Sequence, residues 1–259
     1  MSEFHLNADD PSHTLEEVWP PFGLRIESPR LILRQIRETD FPAYIAAATS
    51  GISTAGRSPF VSPWDENPPE QMAKNSLSWV WSRRSSIGPD QWYLMLGVFL
   101  KEEDGAEGAL IGVPDVGAEK WQVLRTVNSG SWMRRDQQGR GLGKEMRAAM
   151  LIWAFDHFGA EYAESAAFDW NEPSNRVSQS LGYSKFGTKR VADAYNKQAE
   201  WESHYRMAWD EFLRPSWTVQ VRGSDLLKDF MLISDRHLAE AENDDAVDAV
   251  DADDADDAS

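Results

Sequence analysis

Residues 138–147 read Gln138-Gly139-Arg140-Gly141-Leu142-Gly143-Lys144-Glu145-Met146-Arg147. Three glycines at alternate positions leave the main-chain N–H groups unshielded, and an apolar helical pattern begins within the same run. A helix N-terminus behind bare amides concentrates partial positive charge, which suits a phosphate or pyrophosphate. The spacing excludes two common phosphate cradles. A dinucleotide fingerprint needs Gly-x-Gly-x-x-Gly early in a βαβ unit; here the third glycine is misplaced and the run lies past mid-chain. A P-loop needs Ser or Thr after Gly-Lys to ligate Mg²⁺, and Lys144 is followed by Glu145. A plain glycine turn between strand and helix remains the alternative.

The elements that must hold this loop can be read on either side of it. Thr126–Met133 is extended and enters it. Lys144–Phe158 leaves it as a helix, with Met146, Met150, Trp153, Ala154 and His157 or Phe158 along one face and Gly159 at its end. Upstream, Arg25–Arg34 alternates around Leu31 and Leu33 as a first strand. Glu38-Thr39-Asp40 opens a helix over Phe41–Ala48, and a proline-rich loop from Pro59 to Pro69 carries Trp64. Glu70–Arg84 has helical spacing through Met72, Leu77, Val80 and Trp81. Strands follow at Trp92–Leu100 and Ala109–Val113, with the turn Asp104–Gly108 between them. Downstream, Glu164–Phe168 is a strand, Ser174–Leu181 a helix capped by Ser174 and closed at Gly182, and Ser203–Trp209 a late strand. Interleaved strands and helices give an α/β or α+β fold in one domain.

Bulk properties narrow the class. A chain of 259 residues with 41% hydrophobic content can bury a large core. It has no cysteine, which excludes disulfides, thiolate metal sites and a cysteine nucleophile. The five histidines lack ligand spacing, so no metal is expected. No apolar run reaches the roughly 18 residues that span a bilayer, and residues 1–5 lack a secretory leader. A cytoplasmic protein without membrane contact is expected. Of the net charge of −17, ten acids fall within residues 240–259, so the body is only moderately acidic. That field disfavours nucleic acid. The tail reads as a solvated, disordered segment, or an interaction tail for basic partners.

Three stretches together resemble one family. The order Gln-x-x-Gly-x-Gly at Gln138, Gly141 and Gly143 resembles the pyrophosphate loop of the GNAT acetyltransferases. Glu27–Arg34 resembles the first strand of the Rim-type branch, the ribosomal-protein N-terminal-amine acetyltransferases. Asp169–Ser174, Val177 and Leu181-Gly182-Tyr183 resemble its Asn-x-x-Ser and Leu-Gly-Phe/Tyr segment. The match runs from about Gly23 to Leu213 and divides the chain. Residues 1–22 read as a flexible N-terminal segment and 23–213 as the GNAT domain. Residues 214–238 form an extension that docks through Leu226, Leu227, Phe230 and Met231, and 239–259 form the acidic tail.

The resemblance implies a mixed, V-split central sheet flanked by helices, with acetyl-CoA in the splay. Main-chain amides of Gln138, Gly139, Arg140, Gly141, Leu142, Gly143 and Lys144 would hold the pyrophosphate. Trp132 and Met133 would pair with the pantetheine amides, and Asn171 and Ser174 would bond the arm from the far side; a helix-capping turn is the alternative for the latter two. An acetyl group would pass to a primary amine, a peptide N-terminus or a small cationic amine, by direct attack in a ternary complex. Many relatives carry a Glu where this chain has Asn128 and a Tyr where it has Ser178. Asn128 could orient a water or the substrate, and Ser178 could serve as acid on the thiolate side, but the base is unassigned. Tyr183 is expected in the core, and Glu145 as a cap or ion-pair partner. Trp64, Trp79, Trp81 and Trp92 cluster where an acceptor site would lie, or pack the core. The protein would be a monomer or homodimer. The alternatives are a non-catalytic acyl-CoA sensor and, with less support, a nucleotide-binding regulatory domain.

Overall fold

The computed structural model describes residues 6, 7, 9, 11–53, 56–193 and 197–232. Nine strands form one sheet: β1 (Arg25–Glu27), β2 (Leu31–Gln35), β3 (Trp92–Lys101), β4 (Glu107–Ala118), β5 (Thr126–Met133), β6 (Tyr162–Phe168), β7 (Ser184–Asp193), β8 (Gln198–Ala208) and β9 (Gln220–Arg222). Their spatial order is β7-β8-β6-β5-β4-β3-β2-β1-β9. Every neighbouring pair is antiparallel except β5 and β6. That parallel pair needs a crossover helix, and α5 (Leu142–Ile152), continued by a π-helical stretch at Trp153–Phe158, supplies it. Gly159, at φ 88°, ends the stretch in the left-handed conformation.

Both faces of the sheet are covered. On one lie α2 (Phe41–Thr49) and α3 (Pro69–Ser85), packed through Phe41, Tyr44, Met72 and Val80 on Ile32, Met95, Val113 and Trp132. On the other, α5 and a C-terminal helix bury Met146, Met150, Trp153 and Leu227 against Leu33, Leu94, Val116 and Val127. The mixed, helix-flanked sheet matches the expected architecture. Strand β2 is buried on both faces rather than alternating, because it lies inside the sheet.

Several boundaries differ from expectation. Strand β4 extends well beyond Ala109–Val113, running through Pro114 to Ala118, with Pro114 opposite Ser131. Strand β7 was not expected, since it is a polar, mostly exposed edge strand without an apolar alternation. The helix α6 (Glu172–Ser180) is capped by Asn171, whose Oδ1 accepts from the Ser174 N–H at 3.4 Å, rather than by Ser174. Short helices α1 (Leu15–Val18) and α4 (Trp121–Leu124) complete the set before α7 (Ser224–Met231).

Residues 11–22 are folded rather than loose. Thr14 and Glu17 form a capping box at α1, Pro20, Pro21 and Phe22 are buried, and the Trp19 ring meets Phe230 of α7 edge-on at 5.1 Å. The polar, proline-bearing composition hid these apolar anchors. After Leu213 the chain returns to the body: β9 pairs with β1, Leu227 and Met231 are buried while Leu226 is exposed, and Trp153 Nε1 donates to Ser224 Oγ at 3.1 Å. The acidic tail and residues 233–238 lie outside the described residues.

Candidate active site

The glycine loop forms a bare amide cradle. Gly139 and Gly141 have φ of 75° and 79°, a left-handed conformation costly for other residues. Gly141 is also the N-cap of α5, and no side chain caps that helix end. Its first amides are therefore free for an anion. A Cβ on Gly139 or Gly143 would meet nothing within 4 Å, so the space above the loop is open. The Gln138 side chain faces inward: its Nε2 donates to the carbonyls of Ile52 and Met133, tying the loop to the end of β5.

Glu145, one turn into α5, anchors the loop from beneath. Its carboxylate is 6% exposed and accepts from Ser28 Oγ at 2.8 Å, the Arg30 main-chain N–H at 2.9 Å and Arg30 Nε at 2.7 Å. Arg30 Nη1 reaches on to the Arg140 carbonyl at 3.2 Å. The Ser-Pro-Arg turn before β2 and the glycine loop thus share one buried carboxylate, which places Glu145 as the expected ion-pair partner.

Strands β5 and β6 pair only from Thr126 to Asn128 and then diverge. Their facing edges beyond Asn128 and Glu164 have no strand partner, while β5 stays paired to β4 as far as Met133 and β6 to β8 as far as Phe168. The opening leads from the α5 N-terminus to the point where the strands rejoin. An extended group carrying amides could bond there as a substitute strand. Trp132 and Met133 sit on this edge; the Trp132 ring packs on Tyr44 at 5.4 Å and Trp64 at 5.8 Å.

At the closed end of the opening is a cavity of about 270 Å³ lined by residues including Tyr93, Asp115, Asn128, Gly130, Glu164 and His204. Their neighbours Trp92, Val116, Val127, Ala163 and Tyr205 belong to the α5-side core. By strand alternation, these six therefore face the α2/α3 side. Asn128 thus reaches the cavity, but so does Asp115, which sequence reasoning missed. It sits on β4 opposite Gly130, so close that a Cβ there would lie 2.7 Å from its Oδ1. Burial pushes the Asp115 carboxyl above its ordinary value, offset in part by main-chain N–H groups and by the more distant Arg83 and Arg147. A carboxyl held this way binds a proton more readily than an exposed one. The only available signal was a lone acid in an apolar run, Val113-Pro114-Asp115-Val116. Glu164 is engaged by Arg206 Nε at 2.7 Å.

Ser178 is 1% exposed on α6, on the α5 side of the opening. Its Oγ accepts from Arg147 Nη1 at 2.9 Å and donates to the Ser174 carbonyl at 3.3 Å. Asn171 and Ser174 lie half-buried at the start of the same helix. Tyr183 is buried as expected, and burial pushes its phenol up to about 12. Of the four tryptophans, Trp64 packs beside β5, while Trp79 and Trp81 are half exposed on α3. Trp92 lies away from any acceptor site, fully buried on the α5 side against Trp121, Trp153 and Phe158. Among the described residues no helix could cross a membrane, and no cluster of His, Cys, Asp and Glu could hold a metal ion.

Comparison with known proteins agrees with this fold. Solved structures of similar fold include Mycobacterium smegmatis RimJ in complex with a CoA disulfide, 16% identical with a TM-score of 0.58, covering 81% of this chain and 94% of that one. A ribosomal-protein-S5-alanine acetyltransferase from Vibrio fischeri is 18% identical with a TM-score of 0.56, covering 74% and 99%. RimL, a ribosomal L7/L12 α-N-protein acetyltransferase in complex with coenzyme A, is 16% identical with a TM-score of 0.53, covering 71% and 97%. The model of the acetyltransferase (GNAT) domain matches residues 30–184, more than half of the sequence, and the chain belongs to that family.

Proposed function

We propose that this protein transfers an acyl group, acetyl in the simplest case, from a CoA thioester to a primary amine by direct attack in a ternary complex. The observation that carries the reading is the β5–β6 opening, which joins a bare helix N-terminus at one end to a cavity holding a buried carboxylate at the other. The residues fit CoA. Amides of Gln138–Lys144 suit the pyrophosphate, and the free edge at Trp132 and Met133 suits the pantetheine amides. Asn171 and Ser174 border the far side of the arm. The thioester supplies an activated carbonyl: its C–S bond breaks as the amide C–N bond forms, and the thiolate leaves.

The chain's own groups do the rest. Asp115 takes the proton that the amine loses, and Asn128 orients the amine or a water beside it. The acids Asp115 and Glu164 favour a cationic acceptor, either a peptide N-terminus or a small amine. Ser178, polarised by Arg147, would serve the leaving thiolate by turning its hydroxyl away from the Ser174 carbonyl. Bringing both partners into one cavity supplies much of the rate. A pure acyl-CoA sensor would have no use for a carboxylate in the acceptor cavity. The test incubates the full chain with acetyl-CoA and a panel of peptides and small amines while following CoA release. Binding of CoA without release on any amine would overturn the enzyme reading in favour of a sensor, and no binding at all would overturn the assignment of the loop.

A further inference from the structure

Arg147 is a buried cation without a carboxylate. It is 5% exposed, on the face of α5 that looks into the opening. Among the described residues its hydrogen bonds go to hydroxyls: Ser178 at 2.9 Å, Ser165 at 3.3 Å and Ser131 at 3.4 Å. Ser131 stands on β5 and Ser165 on β6, so the guanidinium bridges the two diverging strands. The titratable groups that act on it through space are Tyr183 and, from the opposite face, Asp115. Neutral hydroxyls at such lengths do not compensate a desolvated guanidinium. Two further hydroxyls in this region, those of Ser129 and Tyr183, are buried without a well-formed hydrogen bond. Ser129 and Ser165 also line the cavity.

The α5 face of the opening is therefore one-sided. A forked cation meets only neutral hydroxyls there, and among the described residues no carboxylate on that face pairs with it. Arginine forks pair best with planar, two-oxygen anions. An acetyl group ends in a methyl and would leave the fork unpaired. A short acyl chain ending in a second carboxylate would meet it.

We propose that the preferred donor is the CoA thioester of a short dicarboxylic acid, such as a malonyl or succinyl group, with Arg147 receiving the distal carboxylate. This rests on the acyltransferase reading. The handle is unchanged, since pyrophosphate and pantetheine use the same loop and strand edge. The transfer balances as before: the acyl C–S bond breaks, the amide C–N bond forms, the amine proton passes to Asp115 and CoA leaves as the thiolate. The product is an amide whose far end carries a carboxylate, so a cationic acceptor would change its charge from +1 to −1.

The test measures the affinities of CoA, acetyl-CoA, malonyl-CoA and succinyl-CoA for the full chain by calorimetry, then repeats transfer to the amine panel with each donor. A carboxylated donor should bind roughly 10- to 100-fold tighter than acetyl-CoA, as expected for hydrogen bonds to a charged group. Arg147→Met, close in volume, should erase that ratio, and Arg147→Lys should restore it in part. The comparison of donors on the unaltered protein needs no variant to fold. Equal or tighter binding of acetyl-CoA would overturn the proposal while leaving the acyltransferase reading intact. Binding of no CoA species would overturn both.

Discussion

Substitution of Gly141 separates the two demands on that residue, backbone shape and an open anion site. At φ 79°, any L-residue pays about 1–2 kcal/mol of left-handed strain. In a chain of this size that lowers Tm by about 2–8 °C. A Cβ there meets only Arg30 Nη2, at 3.6 Å, so Gly141→Ala should show the strain and little else. Gly141→Glu bears the same strain but places a carboxylate at the uncapped N-terminus of α5. The helix dipole favours that charge by about 0.3–1 kcal/mol, so Gly141→Glu should be no less stable than Gly141→Ala. Its effect on binding should be opposite in sense. The new carboxylate would occupy the amides proposed for pyrophosphate; losing two charge-assisted bonds costs about 3 kcal/mol or more, roughly 100-fold in Kd. Thermal unfolding by circular dichroism and CoA titration by calorimetry read the two effects separately. If Gly141→Glu binds CoA within threefold of Gly141→Ala, the loop does not hold the pyrophosphate.

The other expectations concern the groups around this loop and the cavity. Asp115→Asn should reduce transfer by about 10²- to 10⁴-fold, since the amide cannot accept a proton. Because burial raises the Asp115 carboxyl, the folded chain holds that proton more tightly than the unfolded chain. This contribution is present in acid and lost as pH rises through the raised value. Asp115→Asn should therefore be more stable than the parent at pH 8, with the gain shrinking toward pH 4; urea titrations at both pH values check the sign. Glu145→Ala strands the Ser28 hydroxyl and the Arg30 N–H and should cost about 2–4 kcal/mol. Guanidinium unfolding measures this, and a cost below 1 kcal/mol would show that the buried carboxylate is not the anchor. Leu227→Ala removes a fully buried side chain of α7 and should cost about 2–5 kcal/mol. An unchanged unfolding midpoint would mean that the C-terminal extension adds nothing to the core.

What could be read from the sequence was local. The glycines at 139, 141 and 143 state their own backbone requirement, and the apolar period of α5 follows at once. The strand entering the loop and the Asn171–Tyr183 segment are similarly contiguous, so the elements around the loop were legible. Local signals failed where burial was set by distant partners. Residues 11–22 look polar and proline-broken, yet Trp19 and Phe22 dock because α7 arrives from the far end of the chain. Strand β7 has no apolar face to announce it, because it is a sheet edge supported by β8 alone. Trp92 is one tryptophan among twelve by composition, and only the strand's facing places it in the core away from the cavity. Asp115 and Arg147 are ordinary charges in the sequence. What makes them chemically significant is their position at the fork of β5 and β6, one on each face. The sequence by itself determined a glycine turn with bare amides and the helix behind it, because both depend on neighbouring residues. Tertiary structure alone decided which acid and which cation are buried beside the β5–β6 opening, because desolvation comes from all the elements packed around a group.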